Sequence, residues 1–362
     1  MKTIKLELPG QKTGTSYNII IGAGIIDSLG ERILEACEGD KPIRAGIVTD
    51  SNVAAIYLEK TKDALHNQGF EVWSYVFEPG DTSKNMETLN DILCGLAEGG
   101  FNRGDVLVAL GGGVTGDITG FAAAVYMRGM DYIQVPTTLL AAIDSSVGGK
   151  TAVNLKAGKN MAGAFWQPSM VLCDVETLKT LPAGVFREGL AEAVKYGFIK
   201  DRSILDTIGE LDSGNIPLLE EIAAKCIGIK CAIVQADERD LGERMLLNFG
   251  HTIGHAIEKL SKYRITHGEA VAIGMVAEAR GAYKMGYSTR DFSIELDRLL
   301  GQLGFDTDLK AFDKIQLREA VLKDKKWMSR EITLIVPEEI GTCRLQKIDT
   351  DELTKYIDCI FN

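Results

Sequence analysis

Asp105–Gly129, DVLVALGGGVTGDITGFAAAVYMRG, decides the fold. An apolar Val/Leu run of strand length leads into Gly111, Gly112 and Gly113, and an apolar stretch of helical character follows, so that Gly111, Gly113 and Gly116 form G-x-G-x-x-G between a predicted strand and a predicted helix. Glycines at such a turn let the backbone approach a pyrophosphate, and the helix N-terminus offers it unpaired N–H groups. Taken by itself the pattern fits a tight strand-to-helix turn equally well. It does not sit on the first strand, and no acidic residue ends the next strand to hold a ribose.

Working outward, Val/Ile-rich runs recur at Ile43–Thr49, Val72–Phe77, Val106–Leu110 and Tyr132–Val135, with helix-period segments between them. Runs of this kind look buried on both faces, which predicts a mainly parallel sheet flanked by helices. Ile4–Leu8 and Tyr17–Ile21 suit an opening hairpin, and Ser169–Cys173 a last strand. Beyond Leu181-Pro182 the 3.6-residue period dominates from Ala183 to about Gly304. The expected domains are therefore 1–181, α/β, and 182–362, mainly α-helical, with a late strand at Glu331–Val336 and a closing helix at Asp351–Ile360.

With 362 residues the chain has material for about two domains. Hydrophobic residues at 45%, charged residues at 25% and 8 prolines exclude disordered and collagen-like classes. The net charge of -11 argues against nucleic acid and anionic membranes as partners. MKTIKLELPG has no apolar signal core and no stretch is long enough to cross a bilayer, so a cytoplasmic protein is expected. Seven cysteines without a CxxC pair indicate neither a disulfide framework nor a zinc ribbon.

Polar groups gather where parallel strands end, the edge at which open α/β sheets bind ligands. VTDSNV places Asp50 and Asn52 there, and FEPGDTSK places Asp81 and Lys84. Asp50 suits an adenosine hydroxyl and Lys84 a phosphate, although Asp and Asn after strands are often simple caps. Val135–Asn160 reads as a long Gly-rich surface loop carrying Asp144, Lys150, Lys159 and Asn160, with the lysines able to clamp a phosphate or carboxylate. In REGLAEAVKYG, Glu188 and Glu192 share a helical face with Lys195 one turn on, which from pattern alone is a solvated, salt-bridged face.

Three of the four histidines fall in one segment. His251 and His255 form HxxxH, one helical turn apart, a spacing at which two imidazoles can share a divalent metal. In THGEAVAIGM, Thr266 and Glu269 make a capping-box pattern that puts His267 in the first turn of a new helix. Two histidines and a carboxylate with an open position is the catalytic zinc pattern.

GGGVTGD, YMRG, PTTLLA, DSSVGGKT, GKN, LAEAVKYG, LLNFGHTIGHAIE and HGEAVAIGM, in this order, resemble the 3-dehydroquinate synthase family of sugar phosphate cyclases over nearly the whole chain. The resemblance implies an N-terminal Rossmann-like α/β domain that binds NAD and a C-terminal, mainly helical domain that binds a divalent metal, Zn2+ or, as the alternative, Co2+. It assigns the metal to Glu192, His251 and His267, and moves His255 from ligand to the substrate side. It places substrate contacts at Asp144, Lys150, Asn160, Lys195, Lys230, Arg244 and Asn248, with Lys159 at the phosphate or the metal-domain edge. It also implies a homodimer in which Arg128 reaches the partner's phosphate. Cofactor contacts fall on Asp50, Asn52, Asp81, Lys84, Gly112, Gly113, Val114, Asp117, Thr137 and Thr138, together with Lys150 and Lys159. Asp81 stands where the family commonly has Glu. A late substrate lysine is Lys325 or Lys326.

The activity so implied converts 3-deoxy-D-arabino-heptulosonate 7-phosphate to 3-dehydroquinate and phosphate in the shikimate route, with NAD reduced and regenerated in each turnover. An NAD- and metal-dependent polyol dehydrogenase, a sibling cyclase and a non-catalytic nucleotide-binding protein are the rivals. A neutral polyol needs no lysine cluster such as DSSVGGKT and GKN provide. The acidic total does not oppose an anionic substrate: residues 101–200 contain 9 Lys+Arg and 8 Asp+Glu, a window of +1 against -12 for the remainder.

Overall fold

The computed structural model describes residues 1–8, 15–37, 42–211, 214–325 and 331–361. The chain forms two compact units, one of Met1–Pro182 with Leu211–Gln235, the other of Ala183–Glu210 with Ala236–Asn362.

The first unit is built on seven strands: β1 (Lys2–Leu8), β2 (Thr15–Gly22), β3 (Arg44–Asp50), β4 (Glu71–Phe77), β5 (Val106–Gly111), β6 (Asp131–Pro136) and, after a separate hairpin of β7 (Lys150–Leu155) and β8 (Gly158–Phe165), β9 (Met170–Asp174). Their order is β1-β2-β9-β6-β5-β3-β4, with β1 antiparallel to β2 and the other pairs parallel. Alternation along β5 explains the two-sided burial. Val106, Val108 and Leu110 enter one core with Ile47, Ile133 and Leu172, whereas Leu107 enters another with Ile118, Ala122 and Tyr132. The chain leaves β3 toward β4 and leaves β5 toward β6, in opposite directions, so the switch point of the sheet lies between the carboxyl ends of β3 and β5. Asp50 and Gly111 end those two strands.

Two sequence expectations change here. Val135–Asn160 is not an open loop: after β6 it forms a short helical turn at Ala141–Ser145 and then runs into the β7–β8 hairpin. Thr151, Ala152 and Val153 are buried, and a β-carbon at Gly120 would overlap Thr151, so the hairpin lies tightly on the helix Gly113–Val125. Within the stretch, Gly148 and Gly149 take φ of +94° and +67°, so they make the turn that leads into the hairpin. Leu211–Gln235, C-terminal to the expected boundary at 181 and carrying most of the helix Ile216–Ala236, belongs to the first unit.

The second unit is helical as the periodicity predicts, with Ala183–Ile199, His251–Leu260 and His267–Lys284 as its principal helices for the site. The expected strand Glu331–Val336 lengthens to β10 (Glu331–Glu339) and pairs antiparallel with β11 (Thr342–Asp349), a strand the periodicity did not mark. Ile253, Ile257, Ile273, Leu317, Leu334, Leu353 and Tyr356 share its core.

Candidate metal and cofactor sites

In the first unit, the glycine turn is what the backbone requires. Gly112 caps and Gly113 begins the helix Gly113–Val125, and a β-carbon at Gly113 would come within 3.1 Å of Ser145 Oγ. At Gly116 one would stand 2.6 Å from Gln134 Oε1 on β6, so the third glycine serves close helix–sheet packing. The N–H of Thr137 donates to the Gly111 carbonyl at 2.9 Å, which holds the end of β6 beside the turn. Val114 lies in the first helical turn, and Thr138 Oγ1 accepts from the N–H of Ala141 at 3.2 Å.

Asp50 caps the turn after β3, its Oδ1 accepting from the N–H groups of Asn52 at 2.9 Å and Val53 at 3.1 Å. Lys84 is 5% exposed; its ammonium pairs with Asp117 and donates to Asn160 Oδ1 at 2.6 Å. Burial pushes the Asp117 carboxyl upward against the lowering influence of Lys84. Lys159 pairs with Asp81 at 3.2 Å. Lys230, from the helix Ile216–Ala236, pairs with the Asp144 carboxylate and donates to its carbonyl at 2.6 Å. Lys150 and Arg128 are exposed, Arg128 with φ +69°. Asp81, Lys84, Asp117, Asp144, Lys159, Asn160 and Lys230, distant in sequence, thus meet in three polar groups within this unit.

In the second unit, Glu192, His251 and His267 converge: one ligand atom from each lies within 4.8 Å of the others, the arrangement among the described residues that can hold a metal ion. His255 does not belong to the set, which corrects the HxxxH reading. Its ring lies 5.4 Å from that of His251 and 6.3 Å from that of His267, at the edge of the cluster. The solvated face expected for REGLAEAVKYG is also corrected. Glu192 is fully buried, Lys195 is 1% exposed, and the two are ion-paired.

Close helix contacts place the three ligands. A β-carbon at Gly268 would lie 2.6 Å from Glu188 Cα, so the first turn of the His267 helix rests on the Glu192 helix one turn before Glu192. Gly250, at φ +82°, precedes His251, and a β-carbon there would meet Met275 Cγ at 2.6 Å and the Val271 carbonyl at 2.8 Å. Glu278, 1% exposed, reaches back from the His267 helix to accept the N–H groups of Gly250 at 2.9 Å and Ile253 at 3.1 Å. It caps the His251 helix with a borrowed carboxylate. Glu269 closes the predicted capping box on Thr266, accepting its N–H at 3.0 Å.

The donors fit a divalent ion. Both Glu192 oxygens are sealed from solvent: the Lys195 ammonium pairs with Oε2, and Nε2 of His251 and His267 stand 3.4 and 3.3 Å from Oε1. Two imidazole nitrogens and a buried carboxylate oxygen that converge in this way are placed to share a cation. The Nδ1 of His251 bonds the Phe249 carbonyl at 3.2 Å, which leaves Nε2 with its lone pair toward the cluster. Burial opposes ionisation of Glu192, but Lys195, with His251 and His267, overcomes it and holds the carboxyl well below its usual range. Burial likewise opposes charge on His267, and the carboxylates of Glu192 and Glu258 outweigh it, pushing the imidazole up to about 10.

Arg244 and Asn248 belong to the 3-10 segment Glu243–Asn248. Arg244 is 2% exposed, and its guanidinium donates to the Glu238 carbonyl. Asp237, a residue the sequence reading passed over, organises this turn: its carboxylate accepts the N–H groups of Leu241 at 3.0 Å, Gly242 at 2.6 Å and Arg244 at 3.2 Å. An Asp ahead of Gly and a buried Arg in DERDLGER was the available signal. Lys325 ends the helix Lys314–Lys325, and Lys326 lies outside the described residues.

A parallel α/β unit with a glycine turn and a helical unit with a buried carboxylate–imidazole cluster make the chain similar to solved sugar phosphate cyclases. The 2-deoxy-scyllo-inosose synthase solved with carbaglucose-6-phosphate, NAD+ and Co2+ has a TM-score of 0.86 and 26% identity, with 98% of this chain and 99% of that chain covered. The 2-epi-5-epi-valiolone synthase of Streptomyces hygroscopicus, solved with NAD+ and Zn2+, has a TM-score of 0.85 and 25% identity, with 97% and 98% covered. The family model for the 3-dehydroquinate synthase N-terminal region matches residues 74–188, and that for the C-terminal region 189–327. The 3-dehydroquinate synthase of Clostridium acetobutylicum is 40% identical over 360 residues, 99% of each chain. The chain belongs to the 3-dehydroquinate synthase family.

Proposed function

We propose that the chain is a 3-dehydroquinate synthase, a phosphate lyase that converts 3-deoxy-D-arabino-heptulosonate 7-phosphate to 3-dehydroquinate and phosphate with NAD and a divalent metal, Zn2+ or Co2+. The observation that carries this reading is the buried Glu192–His251–His267 cluster with Lys195 against it, in a chain of this family. The first unit, which contains residues 1–181 together with Leu211–Gln235, is read as the NAD-binding domain and the second as the metal- and substrate-binding domain.

When bound, NAD supplies a hydride acceptor and donor, and the metal polarises a substrate hydroxyl. Glu192, His251 and His267 hold the metal. Asp50, Asn52, Asp81, Lys84, Gly112, Gly113, Val114, Asp117, Thr137 and Thr138 are the cofactor's contacts, with Lys150 and Lys159 shared between cofactor and substrate. A substrate bearing a carboxylate and a phosphate needs fixed cations, and Lys150, Lys159, Lys195, Arg244 and Arg128 supply them. Lys230 and Asp144, paired to each other, and Asn160, Asn248 and His255 complete the substrate contacts and orient its hydroxyls. Lys195 keeps Glu192 ionised, and His255, exposed at the edge of the cluster, is placed for proton transfer.

A homodimer and a cytoplasmic setting accompany this reading. Met127 at 55%, Met161 at 62% and Phe165 at 43% exposure leave apolar surface near Arg128 in the sequence and on β8, as a subunit contact needs. The seven cysteines are free thiols, as a reducing compartment keeps them, and no helix among the described residues is long and apolar enough to cross a membrane.

The test is incubation with the heptulosonate phosphate and catalytic NAD. Release of stoichiometric phosphate without net NADH is expected. Stoichiometric NADH would mark a dehydrogenase instead.

A further inference from the structure

The helix His251–Leu260 brings the cluster more than a ligand. Glu258 follows His251 by seven residues, two turns along the same face, and is 5% exposed. Its Oε2 stands 3.4 Å from Nδ1 of His267, whose Nε2 faces Glu192 on the other side of the ring. The two imidazoles are therefore held differently: His251 by a neutral backbone carbonyl, His267 by a buried carboxylate.

We propose that Glu258 is a positioning residue for the metal: by accepting the Nδ1–H of His267 it fixes the tautomer and ring plane that present the Nε2 lone pair to the ion. This rests on the metal reading of Glu192, His251 and His267. A carboxylate buried at this depth costs free energy unless partners offset it, and His267 is one of those partners. Lys195 and Glu192 cancel, so a divalent ion adds two uncompensated positive charges to a buried site. Glu258 neutralises one of them. Outer partners of metal-bound histidines contribute about 10- to 100-fold in affinity.

The experiment measures Zn2+ affinity of the purified metal-free chain by competition with a chromophoric chelator, alongside the absorption spectrum of the Co2+-loaded chain. The set is the parent, Glu258→Gln, His251→Ala, His267→Ala and the Glu258→Gln/His267→Ala double variant, with circular dichroism as the folding check. Glu258→Gln is nearly isosteric, and it is expected to weaken Zn2+ binding about 10- to 100-fold and to shift the Co2+ spectrum. In the His267→Ala background the same substitution is expected to change affinity little, because the group through which it acts is gone. Glu258→Asp, which keeps the charge but withdraws the oxygens by one methylene, serves if Gln disturbs packing, with weakening expected there also. Parent-like affinity and spectrum in both variants overturn the proposal, as does equal weakening with and without His267. A parent that binds Zn2+ no better than His251→Ala overturns the metal reading and this proposal together. Tight binding by the parent, loss in His251→Ala and no effect at Glu258 overturn this proposal alone.

Discussion

Gly274 lies so close to Gly250 that a β-carbon on it would overlap the Gly250 carbonyl oxygen. This contact joins the helix that begins at His267 to the turn that presents His251, and so fixes one of the three distances in the metal cluster. Because the obstacle is backbone, no side chain can swing aside. Gly274→Ala is expected to destabilise the chain by ~1–3 kcal/mol and to weaken Zn2+ binding beyond what unfolding explains. Thermal unfolding of the metal-free chain and chelator competition measure the two effects separately.

His251→Ala removes one of the cluster's three candidate ligands and is expected to abolish metal retention and turnover together. Elemental analysis of the purified variant, paired with the phosphate-release assay, checks this. Full activity in a metal-free variant would contradict the assignment.

Asp237 carries a pH dependence whose sign follows from its bonds. Burial raises its carboxyl, but the N–H groups of Leu241, Gly242 and Arg244 outweigh that and hold it below the ordinary range. The folded value lies under the unfolded one of ~3.9. Its contribution is therefore fully present above about pH 4 and lost as pH falls through the folded value. Unfolding of the parent and Asp237→Asn is expected to differ at pH 7 and to converge below that range. In turnover, the variant is expected to raise KM more than it lowers kcat, because the turn that presents Arg244 loosens.

Lys84 joins Asp117 and Asn160, and Lys84→Met leaves the Asp117 carboxylate without its cation. A loss of ~1–3 kcal/mol in stability and at least a tenfold weakening of NAD binding are expected. Titration with NAD+ followed by fluorescence quenching reads the second. Unchanged NAD affinity would remove Lys84 from the cofactor site.

Much of the site was legible because its residue types are rare or sharply patterned. Three histidines in seventeen residues drew attention to the second unit, and the strand–glycine–helix passage at Gly111–Gly116 marked the sheet edge. Where reading from local pattern failed, the reason was the same each time. HxxxH at His251 and His255 is a statement about one helix, whereas the cluster takes one residue from each of three. Glu192 and Lys195 look like a solvated pair because i and i+3 spacing says nothing of what covers the face. The Val135–Asn160 stretch looks like a loop because small residues serve both turns and tight packing.

By itself the sequence determined the alternation of strand and helix, the change to helical periodicity after Pro182, the glycine turn and the gathering of three histidines in one segment, since these depend on period and side-chain chemistry within a few residues. Only the tertiary structure decided that Glu192 is buried, that Glu278 caps a helix other than its own, that Glu258 faces His267, and that Lys84, Asp117 and Asn160 meet. Those relationships depend on how closely backbones from distant parts of the chain approach, and that distance is set by packing at glycines such as Gly250, Gly268 and Gly274, which no local periodicity encodes.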